Sequence, residues 1–256
     1  MTFCEAEIVQ KIDMKDIVPY FEKATDKTLV IFDVDMVIVQ PSDPAFQMAN
    51  MKRHGIVAKR IMQSIPQEHL MLFLSLMTLR SETILIDHKM PEYLQILFKK
   101  NTPTIALTAN ITGSFAETPS VELWRIESLR RLGIDFSNAA PYKAHHEFKN
   151  LASYRNNYST YVDGMLFVNG RVVSKGDALL AYLNLANLCP NEVIFIDDRE
   201  DNLKSVEQAL KTRTVPPTFI GIHFQGAELY PSTDISEHDF ENRWMALREE
   251  LEKLEK

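Results

Sequence analysis

Thr28-Leu29-Val30-Ile31-Phe32-Asp33-Val34-Asp35 runs five β-prone residues, the last four of them apolar, into two acids. An apolar run without alternation is the mark of a central parallel strand buried on both faces. The pattern returns downstream. Thr104-Ile105-Ala106-Leu107 ends in Thr108-Ala109-Asn110, and Val193-Ile194-Phe195-Ile196 ends in Asp197-Asp198. Helical stretches separate these strands: Pro91 to Lys100, Val121 to Leu132 with Leu123, Ile126 and Leu129 on one face, Lys175 to Leu188, and Asp201 to Lys211. Strands alternating with helices predict an α/β fold, a doubly wound, Rossmann-like parallel sheet. In such sheets ligands gather beyond the carboxyl ends of the strands, where Asp33, Asp35, Thr108, Asp197 and Asp198 would converge.

The segment 41–88 carries apolar positions at helical spacing, among them Phe46, Met51, Ile61, Phe73 and Met77, broken at Pro66. It leaves the chain after the first acids and ends before the second strand, so it is expected to form a small, mainly helical cap. The core is then discontinuous, 1–40 and 89–235. The cap's methionines read as core filler. Elsewhere, Ile8, Ile12 and Phe21 suggest an amphipathic helix, and Ile134-Asp135-Phe136 a short strand. A hairpin is expected from Met165–Val168 into Arg171–Val173, turning at Asn169-Gly170. Phe219–Ile222 is the last strand candidate. The closing segment 236–256 reads as a charged amphipathic helix packed on the core.

Against 28 Lys and Arg stand 35 Asp and Glu, a net charge of -7 that opposes binding to nucleic acid or an anionic membrane. Cys4 and Cys189 are too few for a disulfide framework or zinc site. Both are expected to be inert, Cys189 packing beside a strand. Glu5, Glu7, Lys11 and Asp13 interrupt any export signal, and the apolar stretch His69–Leu79 is too short to span a bilayer. A cytoplasmic protein is the expectation, with signal-less export as an effector left open.

Asp33-Val34-Asp35-Met36-Val37, Thr108, Lys175, and Asp197-Asp198 followed by Asn202 resemble, in order, the motifs of the haloacid dehalogenase (HAD) superfamily. The stretch Tyr161–Leu180 is also similar to an uncharacterised bacterial branch of that superfamily. The resemblance implies a phosphatase in which Asp33 is the nucleophile that forms an aspartyl-phosphate. Asp35 would be the acid and base. Mg²⁺ would be held by Asp33, the Asp35 backbone carbonyl and Asp198, with Asp197 helping directly or through water. Thr108, the backbone beside it at Ala109 and Asn110, and Lys175 would bind the phosphoryl group, and Asn202 would orient the acidic loop. The implied partner is a small phosphorylated substrate or a phosphoprotein.

The residue types make sense apart from the resemblance. A carboxylate can attack phosphorus only if repulsion between two anions is offset, which a hard cation with oxygen ligands does best. Response-regulator receivers combine similar groups, but place the adjacent acid pair first and the acceptor later. A catalytically weak interaction or effector protein on the same fold, or a phosphotransferase or mutase, are the competing readings. His145 and His146 read as a polar loop, and Asp201 as the start of a helix.

Overall fold

The apolar run after Lys27 forms a strand because each of its side chains has a dry surface to meet. The computed structural model describes residues 7–256, so Cys4 lies outside the described residues. In chain order the elements are β1 (Glu7–Lys11), α1 (Val18–Lys23), β2 (Thr28–Phe32), then the insert with β3 (Val39–Pro41), α2 (Met48–Arg53), α3 (Gly55–Ser64), α4 (Leu70–Leu79) and β4 (Thr83–Leu85). After it come α5 (Met90–Lys99), β5 (Thr104–Thr108), α6 (Val121–Arg131), β6 (His146–Glu147), β7 (Thr160–Val162), β8 (Met165–Phe167), α7 (Lys175–Leu185), β9 (Glu192–Asp197), α8 (Glu200–Lys211), β10 (Thr218–Phe224) and α9 (Glu237–Leu254).

Eight strands form one sheet in the order β1-β10-β9-β2-β5-β8-β7-β6, while β3 and β4 pair separately at the stem of the insert. All neighbours from β1 to β8 are parallel, and β7 alone is reversed, pairing antiparallel with both β8 and β6. Side chains alternate between two faces, as the pleat requires. Val30 and Phe32 of β2, Ala106 of β5, and Ile194 and Ile196 of β9 join Phe21, Leu94, Leu97 and Ile126 on one face. Leu29, Ile31, Ile105, Leu107, Val193 and Phe195 join Leu179, Tyr182, Leu203 and Val206 on the other. Helices α1, α5 and α6 therefore cover one side, and α7 and α8 the opposite side. The chain leaves β2 toward β5 and leaves β9 toward β10, so the carboxyl ends of β2 and β9 flank the switch point.

Several expectations are corrected. Residues 7–11 form an edge strand, not a helix, pairing with β10 from Glu7↔Ile220 to Lys11↔Phe224. Ile8 packs on one face of the sheet and Val9 on the other, which is strand periodicity. The helix begins only at Val18, beside Pro19. Ile134–Phe136 adds no strand, because β8 fills the place beside β5; Phe136–Asn138 instead forms a 3-10 turn capped by Asp135. The hairpin turns at Asp163-Gly164, both with positive φ (49° and 81°), and joins β7 to β8. Asn169-Gly170 starts the loop over the site instead. Cys189 is exposed rather than packed. No helix among the described residues is long and apolar enough to cross a membrane.

Helix α9 does not lie on the sheet. Its stripe Phe240, Trp244, Leu247 and Leu251 meets Phe46, Ile61, Phe73 and Leu76 of the insert, so it becomes the insert's fourth helix. Trp244 donates from Nε1 to the Ala45 carbonyl (2.8 Å) and sits 5.6 Å from the Phe73 ring. Ion pairs Arg80–Glu250, Arg60–Glu241 and Arg243–Asp43 fasten the two outside this apolar seam. Trp244→Ala is expected to lower stability by about 3–5 kcal/mol in urea unfolding. A loss below about 0.5 kcal/mol would show that α9 only decorates the surface.

Candidate active site

Strand β2 ends at Phe32, and the next residue turns its side chain inward. The Asp33 amide donates to the Ile196 carbonyl (2.8 Å), which ties the end of β2 to β9. One Asp33 oxygen accepts from the Val34 amide (2.7 Å). Its other oxygen is 2.8 Å from the Lys175 ammonium. After Asp33 the chain doubles back, with the Met36 amide bonded to the Val39 carbonyl (2.8 Å) and Met36 at φ 63°. A non-glycine residue in the left-handed region is uncommon, and such residues concentrate at functional sites.

Lys175 comes from the first turn of α7. Ser174 caps that helix, its hydroxyl accepting from the Asp177 amide (3.0 Å). Gly176 lets α8 approach so closely that a Cβ there would lie 2.4 Å from the Ser205 carbonyl oxygen. Lys175 is 3% exposed, and its ammonium also bonds Asp197 (2.7 Å).

Asp197 is held on every side. It accepts from the Arg199 amide (2.8 Å) and from the Asn202 side-chain amide at both oxygens (2.9 and 3.1 Å). Carboxylate oxygens of Asp33, Asp197 and Asp198 lie within 4.8 Å of one another. Three hard oxygen donors suit Mg²⁺. Asp33 and Asp198 could ligate it, Asp33 through an oxygen that it also offers to Val34 or Lys175, while Asp197, which accepts from Arg199 and Asn202, anchors Lys175. Asp201 stands in the first turn of α8 and is not its cap.

Thr108 is buried at the end of β5, its hydroxyl oxygen accepting from the Asn110 amide (3.3 Å), so its hydrogen stays available to donate. Gly170 packs against Ala109 and donates to its carbonyl (3.0 Å). Asp35 is bound at both oxygens, by Arg125 Nη2 (2.6 Å) and by the Asn110 side-chain amide (2.8 Å). Arg125 Nε in turn donates to Asn110 Oδ1 (3.2 Å).

Arg125 was not legible beforehand. It lies on the charged helix α6, 90 positions from Asp35, and nothing local separates it from Arg130 or Arg131. His223, whose Nε2 donates to the Asp198 carbonyl (2.9 Å), sits just past the expected end of its strand.

Over residues 10–255 the chain matches the family described as "Protein of unknown function (DUF2608)". The chain belongs to this family. The match takes in the site, the insert and α9 together. Similar sequences include uncharacterized proteins of Rickettsia. That of Rickettsia bellii is 25% identical over 204 residues, 78% of this chain and 69% of that protein. Those of Rickettsia felis and Rickettsia conorii are 31% and 29% identical over 135 and 147 residues, 52% and 57% of this chain. The chain's matches span about half the length of these last two, 45% and 49%. No solved structure matches the chain.

Burial pushes the Asp33 carboxyl up to about 7, against the pull of Lys175 and with the Asp197 charge adding to the rise. Burial, then the charges of Asp197 and Asp33, raise Asp198 well above its ordinary value. Lys175 is also raised: burial opposes its charge, but Asp197 and Asp33 outweigh it. Raised acids bind protons more tightly folded than unfolded, so their stabilisation is complete below the unfolded value near 3.8 and is lost as pH climbs through about 7. In EDTA, the wild-type Tm should therefore fall relative to that of Asp198→Asn as pH rises across this window. A wild-type Tm that gains on the variant would contradict the crowding.

Proposed function

We propose that the protein is a magnesium-dependent phosphatase of the haloacid dehalogenase type, hydrolysing a phosphomonoester through an aspartyl-phosphate on Asp33. The observation that carries this reading is the buried Asp33 carboxylate, clasped by Lys175, with Asp198 beside it and Asp35 two residues on. A buried carboxylate so placed has no use in holding the sheet together, which β2 and β9 do through their backbones. Four acids at one sheet edge are also a poor arrangement for stability alone.

Asp33 Oδ attacks phosphorus as the bond to the leaving oxygen breaks, and Asp35 gives that oxygen a proton. Water then attacks the phosphorus, its proton passes to Asp35, and the bond between phosphorus and Asp33 breaks to restore the carboxylate. Arg125 and Asn110 hold Asp35 at rest, so one of those bonds opens when it handles a proton. Thr108 donates its hydroxyl hydrogen to a phosphoryl oxygen, and Lys175 balances the charge gathering around Asp33. Mg²⁺, held by Asp33, Asp198 and the Asp35 backbone carbonyl, would offset the repulsion between carboxylate and phosphoryl group.

Asp33→Asn should fold and yet lose turnover of a generic aryl phosphate by about a thousand-fold or more. Asp35→Asn should accumulate acid-stable phosphoenzyme from substrates with good leaving groups. EDTA should abolish activity, and Mg²⁺ at a hundred times its Kd should stabilise the fold by about 2.7 kcal/mol. Full activity in EDTA, or wild-type turnover by Asp33→Asn, would sink the reading.

A further inference from the structure

A cavity of about 280 Å³ opens over Asp33 and Asp35, and its two halves differ in chemistry. The core side carries the acids, Thr108 and Asn202. The wall contributed by the insert and by the turn after the first acids is apolar: Met36, Phe46, Met51, Met71, Leu74 and Met77.

The wall explains helix α4, whose sequence LMLFLSLMTL is apolar nearly all round. Such a helix needs apolar neighbours on every side. One side has them, since Phe73 and Leu76 pack on α9. The other side, Met71, Leu74, Ser75 and Thr78 at helical spacing, faces the cavity, and Leu74 is left 43% exposed. A large apolar side chain left open in the cavity that also holds the candidate catalytic acids calls for an apolar ligand.

The side-chain donors on that wall are occupied. Ser75 Oγ donates to the Met71 carbonyl (2.9 Å), and Thr78 Oγ1 to the Ser75 carbonyl (2.8 Å), so both hydroxyl hydrogens turn back onto their own helix. On the core side, the Asn110 amide is bonded to Asp35 and Arg125, and the Asn202 nitrogen to Asp197. Arg171 and Arg199 do line the cavity, but they belong to the core side, next to Gly170 and Asp198, where the phosphoryl end would lie.

We infer, on the phosphatase reading above, that the substrate is a small phosphomonoester whose leaving group is compact and apolar, an aromatic ring foremost. It is not a sugar, polyol or nucleoside. A sugar hydroxyl pushed against this wall gives up water and finds no donor. Methionine side chains instead adapt to an irregular apolar body and make favourable sulfur–aromatic contacts. The volume lies at the small end of ligand sites, which suits one or two rings. The insert is fastened over it by Arg80, which pairs with Glu117 of the core as well as Glu250 of α9.

The test compares kcat/KM of the full chain with Mg²⁺ for 1-naphthyl phosphate, glucose 6-phosphate, glycerol 3-phosphate, AMP, a phosphotyrosyl peptide and acetyl phosphate. In parallel, calorimetry measures binding of benzylphosphonate and methylphosphonate to Asp33→Asn. Naphthyl phosphate should exceed the sugar, polyol and nucleotide esters by about a hundred-fold, and benzylphosphonate should bind about ten-fold tighter than methylphosphonate. Met51→Gln, at a half-buried position, should lower the ratio of naphthyl to acetyl phosphate turnover about ten-fold. Preference for the sugar, polyol or nucleotide esters or the peptide, or equal binding of the two phosphonates, with acetyl phosphate still hydrolysed, would overturn this inference and leave the phosphatase reading standing. No turnover of any ester or of acetyl phosphate, and no Mg²⁺-dependent phosphorylation of Asp33, would overturn both.

Discussion

One buried ammonium organises the chemistry at the centre of this molecule. Lys175 bridges Asp33 at the end of β2 and Asp197 at the end of β9, at 2.8 and 2.7 Å. Ions taken out of water lose several kcal/mol of solvation each, and removing one member of such a group leaves the others uncompensated. The surroundings are arranged accordingly. Ser174 starts α7 at the one position that delivers the lysine inward, and Gly176 admits α8. Helix α8 then brings Asn202 onto Asp197. Even so, one ammonium faces three carboxylates: burial first, and then this crowding, make Asp33 and Asp198 resist ionisation, and a divalent cation would relieve the site.

A second constraint acts above the sheet. The insert cannot bury its own helices, because α4 is apolar on two sides and α2 and α3 are short. Helix α9, from the far end of the chain, supplies the missing surface through Phe240, Trp244, Leu247 and Leu251. The side of α4 turned away from α9 then becomes the cavity wall. Of the methionines read as core filler, Met48, Met51, Met71 and Met77 line that cavity. Packing of the insert and the chemistry offered to a ligand thus share one helix.

The sheet was legible because strands buried on both faces carry their signal within a few residues. The runs 28–32, 104–107 and 193–196 each proved to be neighbours in the sheet, and the polar residues ending them meet at one edge. Edges and partners were not legible. Ile8 and Ile12 fit a helix as well as a strand until the open side of β10 decides the matter. Two turn dipeptides, Asp163-Gly164 and Asn169-Gly170, flank one strand, and only pairing with β7 selects the first. The stripe on α9 announced a buried face without saying what would cover it. Arg125 carried no signal, because its partner Asp35 is close only in space.

The most direct measurement is a crystal structure of the protein with Mg²⁺ and beryllium fluoride, which mimics a phosphoryl group on a carboxylate. The beryllium should sit on an Asp33 oxygen beside Thr108 and Lys175. The metal should touch Asp33, Asp198 and the Asp35 carbonyl, with Asp197 still bonded to Lys175 and Asn202. Beryllium fluoride on another residue, or a metal bound by Asp197 with Lys175 displaced, would contradict the assignment of Asp33 as the nucleophile or of Asp197 as its anchor.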